Sequence, residues 1–233
     1  PEEQKQGFLQ KIMLFIRGNF FIPDARKFWI KPSVKYLTKY LRENNIDTII
    51  TTGPPHSMHL IGLKLKQNLN IHWIADFRDP WSTWEFLDTL KLSGFARKKH
   101  QKLERSVFEE ADRLVTISTT FQKEMKAIGA KDIQVLLNGF DPSDIPEFLA
   151  TSPGSSSVLE IVYSGVIDAI RNPLPFLKVL KSVFGNTSGK VRLTFVGRVN
   201  ESVKQLLSED NWFRAHVVLA GYVSHKEVFS FYQ

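Results

Sequence analysis

The sequence contains no cysteine and no long apolar run, and both absences restrict what the protein can be. Without cysteine among its 233 residues, the chain has neither disulfides nor thiolate metal ligands, which is consistent with a reducing compartment such as the cytoplasm. No stretch reaches the roughly 18 consecutive apolar residues that indicate a membrane-spanning helix. The sequence also has no G-x-G-x-x-G or Walker motif, so phosphate-binding turns must be sought elsewhere.

Positive charge is in excess, and it is concentrated near the N-terminus. The net charge is +7, and residues 1–45 hold nine Lys/Arg against four Asp/Glu. Such an excess favours an anionic partner, whether nucleic acid, anionic lipid or a phosphorylated substrate, or it is simply a basic soluble surface. No aromatic RNA-binding motif is interleaved with the basic residues, so we expect no nucleic-acid partner.

Segments typical of strands alternate with segments typical of helices from residue 31 onwards. The β-branched run 47–52 and the apolar run 71–77 are typical of strands, and each is preceded by a helical pattern. This alternation predicts an α/β fold in which a parallel sheet carries helices on both faces.

The alternation stops at residues 141–158, where three prolines, a glycine and a run of serines replace apolar residues. We interpret this stretch as a linker between a first domain, residues 1–140, and a second domain, residues 159–233. The pattern resumes after the linker, but these 75 residues are too few for a complete doubly wound domain. We therefore expect the second domain to be incomplete.

The first candidate site is the stretch TTGPPHS, which ends a predicted strand and begins a predicted helix. Ligands of open parallel sheets bind at such places, where free helix amides attract anions or sugar hydroxyls. Gly53 allows close approach of the backbone, and His56 and Ser57 lie at the helix start. The alternative is a rigid turn whose helix is capped by Ser57. His56 and His59 have the spacing of a metal pair, but the sequence offers no third ligand, so we expect no metal.

The second candidate site is ADFRDPW, which follows the next predicted strand. Asp76, Arg78 and Asp79 must pair with one another or face a ligand, because they follow a buried strand directly. The alternative is an ion pair between Arg78 and an aspartate that fixes the loop. Trp81 is expected either in the core or as an aromatic wall for a sugar ring.

The second domain offers two further glycine turns. Gly165 ends a predicted strand, and Arg171 and Asn172 follow it just before a helix. A glycine turn, a guanidinium and a helix start together suit a diphosphate. Gly197 and Arg198 repeat this arrangement after the next strand.

Taken together, these segments resemble those of glycosyltransferase family 4, in particular bacterial enzymes of surface-polysaccharide synthesis. The residues that carry the resemblance are TTGPPHS, DFRDPW, LERSVFEEADRLVTIS, NGFD, YSGVIDAIRNP, FVG and GYVSHKEV. The resemblance implies a GT-B fold, in which two Rossmann-like domains with parallel sheets face each other across a cleft. The first domain would bind the acceptor and the second a nucleotide-diphospho-sugar. Transfer would retain the anomeric configuration and would need no metal or other cofactor.

The resemblance also implies roles for individual residues of the first domain. It places His56 near the donor sugar and the reacting centre, and Asp79 on the acceptor side. It places Asn138 and Gly139 at the junction of the two domains. Gly53, Ser57, Arg78 and Trp81 are then expected along the cleft on the acceptor side.

Gly165 and Arg171 are implied near the diphosphate, but the sequence departs from the family pattern there. Val166 and Ile167 follow Gly165, where the family often has a basic residue, and we expect Arg171 to compensate. The family's N-terminal glycine-rich loop and its acidic E-x7-E motif are not found. We therefore expect a chain truncated at both ends, whose fragment is not fully active by itself.

The sequence thus predicts an enzyme that transfers a sugar from a nucleotide-diphospho-sugar to a saccharide or lipid-linked acceptor. The resemblance implies a place in cell-surface polysaccharide or glycolipid synthesis. A nucleotide-sugar epimerase of the same fold and a non-catalytic module that binds anionic ligands are the alternatives. If the reaction inverts configuration, Asp79 is the candidate base.

The stretch of residues 7–32 mixes aromatic and aliphatic residues with Lys and Arg. One interpretation is that it docks on the inner face of the membrane, where a lipid-linked acceptor would be presented. The other is that its aromatic side chains pack into the core of the first domain.

Overall fold

In the computed structural model the protein consists of two compact units, with the boundary between Gly139 and Phe140. We call them the N-terminal unit and the C-terminal unit. Of the predicted linker, residues 145–156 lie outside the described part of the chain. The structure describes residues 8–84, 86–144, 157–168, 171–186 and 190–232.

The N-terminal unit is built on a parallel sheet of four strands in the order β1-β2-β3-β4, as the alternating pattern predicted. The strands are β1 (Thr48–Gly53), β2 (His72–Phe77), β3 (Arg113–Thr116) and β4 (Ile133–Val135). The helices are α1 (Phe8–Phe20), α2 (Ile30–Glu43), α3 (Ser57–Asn68), α4 (Phe86–Thr89), α5 (Gly94–Glu110) and α6 (Thr119–Ala127).

The core of the N-terminal unit forms around β2. Trp73, Ala75 and Phe77 alternate along the strand and are fully buried, and Leu60 and Leu63 of α3 pack against them. The parallel register pairs Gly53 of β1 with Phe77 of β2. The strands therefore end at one edge of the sheet, where the loops that follow them come together.

The C-terminal unit has a parallel sheet of three strands in the order β5-β6-β7. Its elements are β5 (Leu159–Ser164), α7 (Leu174–Phe184), β6 (Val191–Val196), α8 (Glu201–Glu209), α9 (Asn211–His216), β7 (Val217–Gly221) and α10 (His225–Val228). Leu177 of α7, Leu193 and Phe195 of β6, and Leu207 of α8 form its core. Each unit has its own hydrophobic core. In both units parallel strands alternate with helices, which agrees with the predicted α/β class.

Several aromatic residues of the N-terminal stretch do not pack into the core. Phe20, Phe28 and Trp29 are 62%, 68% and 62% exposed, so the core interpretation is wrong for these side chains. Helix α1 is held mainly at its C-terminal end, where Asn19 accepts a hydrogen bond of 2.8 Å from the Ser93 amide. In the part of the chain that the structure describes, no helix is both long and apolar enough to cross a membrane.

Candidate functional site

The turn between β1 and α3 is closed around two histidine rings. A Cβ atom at Gly53 would lie 2.5 Å from His59 Nε2 and 3.0 Å from His56 Nδ1, so only glycine fits. The cap by Ser57 that the alternative interpretation required is absent, because His56 is the N-cap residue and its side chain makes no capping bond. Instead, the Ser57 amide donates to the Asp24 carboxylate at 2.8 Å. A carboxylate from a distant loop thus satisfies a free amide of the helix start.

His56 is buried, with 5% of its surface exposed, and its ring stacks on Trp81. The ring centroids lie 4.8 Å apart and the planes differ by 1°. Within the described residues, neither ring nitrogen has a hydrogen-bond partner of normal geometry. Burial lowers the pKa of His56 to about 4, although the Asp24 charge and the Pro80 carbonyl oppose this. His56 is therefore neutral at pH 7, with one ring nitrogen able to donate and one able to accept.

His59 lies deeper and is tied into the core. Its Nδ1 lies 2.9 Å from Thr51 Oγ1, which also accepts a hydrogen bond of 2.9 Å from Trp73 Nε1. Burial lowers the pKa of His59 well below its ordinary value. Across the described ranges no group of three or more His, Cys, Asp or Glu could hold a metal ion, so His56 and His59 form at most a pair.

The loop after β2 is anchored to α5. Trp81 is 1% exposed, and its Nε1–H donates to His100 Nδ1 at 3.0 Å. The Ser82 amide donates to Glu104 Oε2 at 3.3 Å. Of the two interpretations of Trp81, burial favours the core, whereas Trp84 is 36% exposed. The predicted site residue Trp81 thus lies beneath His56 as its stacking partner.

His100 and Glu104 were missed by sequence reasoning. They lie one helical turn apart on the buried side of α5, in line with Ala96 and Val107. The available signal was therefore a histidine and a glutamate within an otherwise apolar helical stripe. Burial raises the pKa of Glu104 to about 7, and its Oε1 atom has no partner among the described residues. Burial lowers the pKa of His100 to about 4.

Arg78 and Asp79 lie at the outer part of the same loop. The Arg78 amide donates to the Gly53 carbonyl at 3.0 Å, which joins the two predicted loops. Its guanidinium donates to Asn138 Oδ1 at 3.3 Å rather than to an aspartate of its own loop, so the ion-pair alternative is wrong. Asp79 is half-buried, and Asn138 and Gly139 are exposed after β4. The structure thus brings Gly53, Arg78 and Asn138 together.

A small cavity lies against the stacked His56 and Trp81 rings. Its volume is about 80 Å³, and its polar walls include Asp24, His100 and Arg17. At about 30 Å³ for each water molecule, it has room for two or three waters. A sugar ring does not fit in this volume.

The C-terminal unit has a much larger open pocket, about 1120 Å³, at the carboxyl edge of its sheet. Three glycines line it, one at the end of each strand: Gly165, Gly197 and Gly221, with φ angles of +149°, +130° and +75°. These angles lie in a region that other residues rarely adopt. A Cβ atom at Gly197 would also overlap the Gly165 carbonyl, so the two turns are packed against each other.

Three of the five residues predicted to bind the sugar donor line this pocket, namely Gly165, Gly197 and Arg198. The other two lie outside its lining. Arg171 pairs with Asp168 at 3.1 Å, and the Asn172 side chain accepts a hydrogen bond from the Leu174 amide at 3.0 Å, at the start of α7.

The pocket also contains residues that the sequence-based prediction did not assign. Lys204 adds a second cation, and its Nζ lies 2.7 Å from Glu201 Oε1. Tyr222 is 90% exposed and presents an open aromatic ring. Tyr222 belongs to the motif GYVSHKEV, so this motif was the sequence signal that could have indicated this side of the pocket.

Comparison with known proteins gives a family match. The model of Glycosyltransferase Family 4 matches residues 3–144, which is more than half of the chain. A sequence search against curated proteins gives no significant match.

Several solved structures share the fold. The apo form of the lipopolysaccharide outer core galactosyltransferase WaaB is 16% identical, with a TM-score of 0.52 over 84% of this chain and 49% of its own. Sucrose-phosphate synthase from Thermosynechococcus elongatus is 14% identical, with a TM-score of 0.57 over 89% of this chain and 53% of its own. Anabaena HepE in complex with UDP is 15% identical, with a TM-score of 0.51 over 82% of this chain and 52% of its own.

The chain spans about half the length of these solved structures, and at such identities the likeness concerns the fold alone. It confirms the predicted GT-B type of α/β fold. Together with the family match, it leads to one conclusion about identity: the chain belongs to glycosyltransferase family 4.

Proposed function

We propose that the protein transfers a sugar from a nucleotide-diphospho-sugar to a hydroxyl group of a saccharide or lipid-linked acceptor. The observation that carries this proposal is the open pocket at the carboxyl edge of β5, β6 and β7. Its volume of about 1120 Å³ is ample for a nucleotide sugar. HepE, which shares the fold, was solved in complex with UDP.

The pocket has the chemistry that a nucleoside diphosphate requires. The glycine turns at Gly165 and Gly197 let a diphosphate approach the backbone closely. Arg198 and Lys204 supply positive charge for its oxygens, and the guanidinium can bind two of them at once. The exposed ring of Tyr222 offers a flat face for stacking of the base.

In the proposed reaction, the acceptor oxygen forms a bond to the anomeric carbon while the bond from that carbon to the diphosphate breaks. The nucleoside diphosphate leaves, and Arg198, Lys204 and backbone amides stabilise its charge without a metal. With retention, the departing phosphate accepts the proton of the acceptor hydroxyl. With inversion, a base is required, and Asp79 is the candidate. His56 is the candidate catalytic residue of the N-terminal unit.

The proposal is tested by incubating the full-length protein with UDP-, GDP- and ADP-linked sugars, with and without saccharide and polyprenyl-phosphate-linked acceptors. NMR of the product identifies a new glycosidic bond and its anomeric configuration. We expect transfer with retention. An inverted product would require a protein base, for which Asp79 is the candidate. An isomerised nucleotide sugar formed without any acceptor would favour an epimerase instead.

Binding of the sugar donor is tested separately by calorimetry with UDP, GDP and ADP. Removal of one charge-assisted contact in Arg198→Ala is expected to weaken binding by roughly 10- to 100-fold. Arg214→Ala is the matched control, because Arg214 is exposed on α9 of the same unit and does not line the pocket. Failure of all three nucleotides to bind, or equal losses in both variants, would contradict the assignment of this pocket.

We also propose that the N-terminal unit lies against the inner face of the membrane while it acts on a lipid-linked acceptor. Five large apolar side chains of this region are 62–75% exposed: Leu9, Met13, Phe20, Phe28 and Trp29. Lysine and arginine residues are interleaved with them. Apolar side chains that enter the headgroup layer, together with cations that attract anionic lipid, are typical of peripheral docking.

Flotation with vesicles of phosphatidylcholine, with and without phosphatidylglycerol, tests the docking proposal. We expect binding to the anionic vesicles and its loss in Leu9→Glu/Met13→Glu. Val179→Glu/Val183→Glu is the control, because these exposed residues of α7 receive the same change of charge in the other unit. Docking is rejected if the wild-type protein floats with neither kind of vesicle.

A further inference from the structure

The proposed transfer does not explain the two buried polar residues of α5. We infer that His100 and Glu104 are positioning residues, which hold Trp81 in the orientation that supports His56. This inference rests on the proposed function for its catalytic consequence, but the positioning itself stands on geometry.

Trp81 is fixed at two places. One face of its ring stacks on His56, with centroids 4.8 Å apart. The nitrogen at its edge donates to His100 Nδ1 at 3.0 Å, so the indole cannot turn away from His56 without losing this bond. Glu104 Oε2 accepts a hydrogen bond of 3.3 Å from the Ser82 amide, and this bond fixes the backbone directly after Trp81.

The chemical nature of these residues argues for a role beyond filling space. His100 and Glu104 are 2% and 1% exposed, and they share a helical stripe with Ala96 and Val107. Apolar side chains at the same two positions would fill the space without the cost of desolvating polar groups. A hydrogen-bonding pair gives what apolar packing does not, namely a defined orientation for the indole ring and for the loop that carries it.

The loop in question also carries the predicted site residue Asp79. It approaches the turn of Gly53 through the hydrogen bond between the Arg78 amide and the Gly53 carbonyl. Helix α5 therefore positions two groups together, the ring that stacks on His56 and the loop beside it. A small displacement of reacting groups lowers rates on the order of 10²-fold, so this anchoring should matter for transfer.

The first test measures the positioning itself and needs no substrate. The chain has five tryptophans, so ¹⁵N labelling of the indoles gives a five-signal spectrum, in which Trp81→Phe identifies the signal of Trp81. His100→Leu removes the acceptor and is expected to shift that signal upfield. His100→Asn places an amide oxygen near the former Nδ1 position and is expected to restore it. Lys102→Leu, on the exposed side of α5, is the control.

The second test measures transfer from the sugar nucleotide found active in the donor panel. We expect His100→Leu to lower kcat on the order of 10²-fold with an unchanged KM for the sugar donor, whose pocket lies in the other unit. His100→Asn should recover most of kcat, and Glu104→Gln, which keeps an acceptor for the Ser82 amide, should retain it.

The inference is overturned if folded His100→Leu keeps the wild-type indole signal, or if it keeps the wild-type kcat. It is also overturned if His100→Asn, correctly folded, recovers neither. If the wild-type protein transfers no sugar at all, the proposed function fails, and the indole spectra alone decide whether α5 positions Trp81.

Discussion

Replacement of Glu104 by glutamine changes how the stability of the protein depends on pH. Burial raises the pKa of the Glu104 carboxyl from 4.5 to about 7, so the folded protein holds this proton more tightly than the unfolded chain does. Between these two pH values the Glu104 carboxyl is protonated to a greater extent in the folded state, so its contribution to the free energy of unfolding falls as pH rises. Glutamine has nearly the shape of the protonated acid but does not titrate.

The size of the effect follows from the change in pKa. Raising the pKa from 4.5 to about 7 corresponds to about 3 kcal/mol, at about 1.4 kcal/mol for each pKa unit. Relative to the wild type, Glu104→Gln should therefore gain about 3 kcal/mol of stability between pH 4.5 and pH 8. The buried histidines are present in both proteins, so their contributions cancel in this difference.

Urea unfolding at half-unit steps of pH, with free energies from linear extrapolation, measures the difference directly. Glu109→Gln is the matched control, because Glu109 lies on the same helix with its carboxylate in water. Its difference from the wild type should stay constant across the range. If the curve for Glu104→Gln is equally flat, the desolvation argument for this carboxyl is refuted.

Three further results are expected. Gly53→Ala should lower the free energy of unfolding by about 1–3 kcal/mol, because the added methyl group would lie 2.5 Å from His59 Nε2. Urea unfolding measures this loss, and an unchanged free energy of unfolding would contradict the packing described. Gly197→Ala should abolish calorimetric binding of nucleotides or unfold the C-terminal unit, since φ is +130° there, and unchanged binding in a folded variant would disprove it. The wild type should lose stability as pH falls from 6.5 to 4, because the unfolded chain protonates His56 more readily than the folded protein does. His56→Gln should remove about 3 kcal/mol of this loss, and equal acid sensitivity of the two proteins would refute the prediction.

The α/β fold could be predicted because its signals are local. The apolar alternation of β2 and the helical pattern of α3 repeat over a few residues, and each repeat dictates which face is buried. The N-terminal stretch was harder, since the same apolar residues can fill a core or remain exposed. Composition does not distinguish these outcomes, and only the tertiary structure showed Phe20 and Trp29 at the surface.

The candidate site could be predicted only in part. Strand-end glycines such as Gly165 and Gly197 were visible, because backbone conformation and close approach leave few other choices. The alternative interpretation, in which Ser57 caps its helix, was wrong because the carboxylate that binds the free helix amide comes from Asp24, 33 residues earlier. Arg171 was a reasonable phosphate ligand by charge, yet it pairs with Asp168 and lies outside the pocket lining.

The sequence by itself determined the succession of strands and helices, the glycine turns at strand ends and the place of His56 at a helix start. Only the tertiary structure decided what surrounds His56. Its stacking partner Trp81 and the residues that anchor this ring and its loop, His100 and Glu104, come from different segments of the chain. Local periodicity carries no information about such pairings, because they depend on how the loop after β2 and helix α5 meet once the sheet has formed.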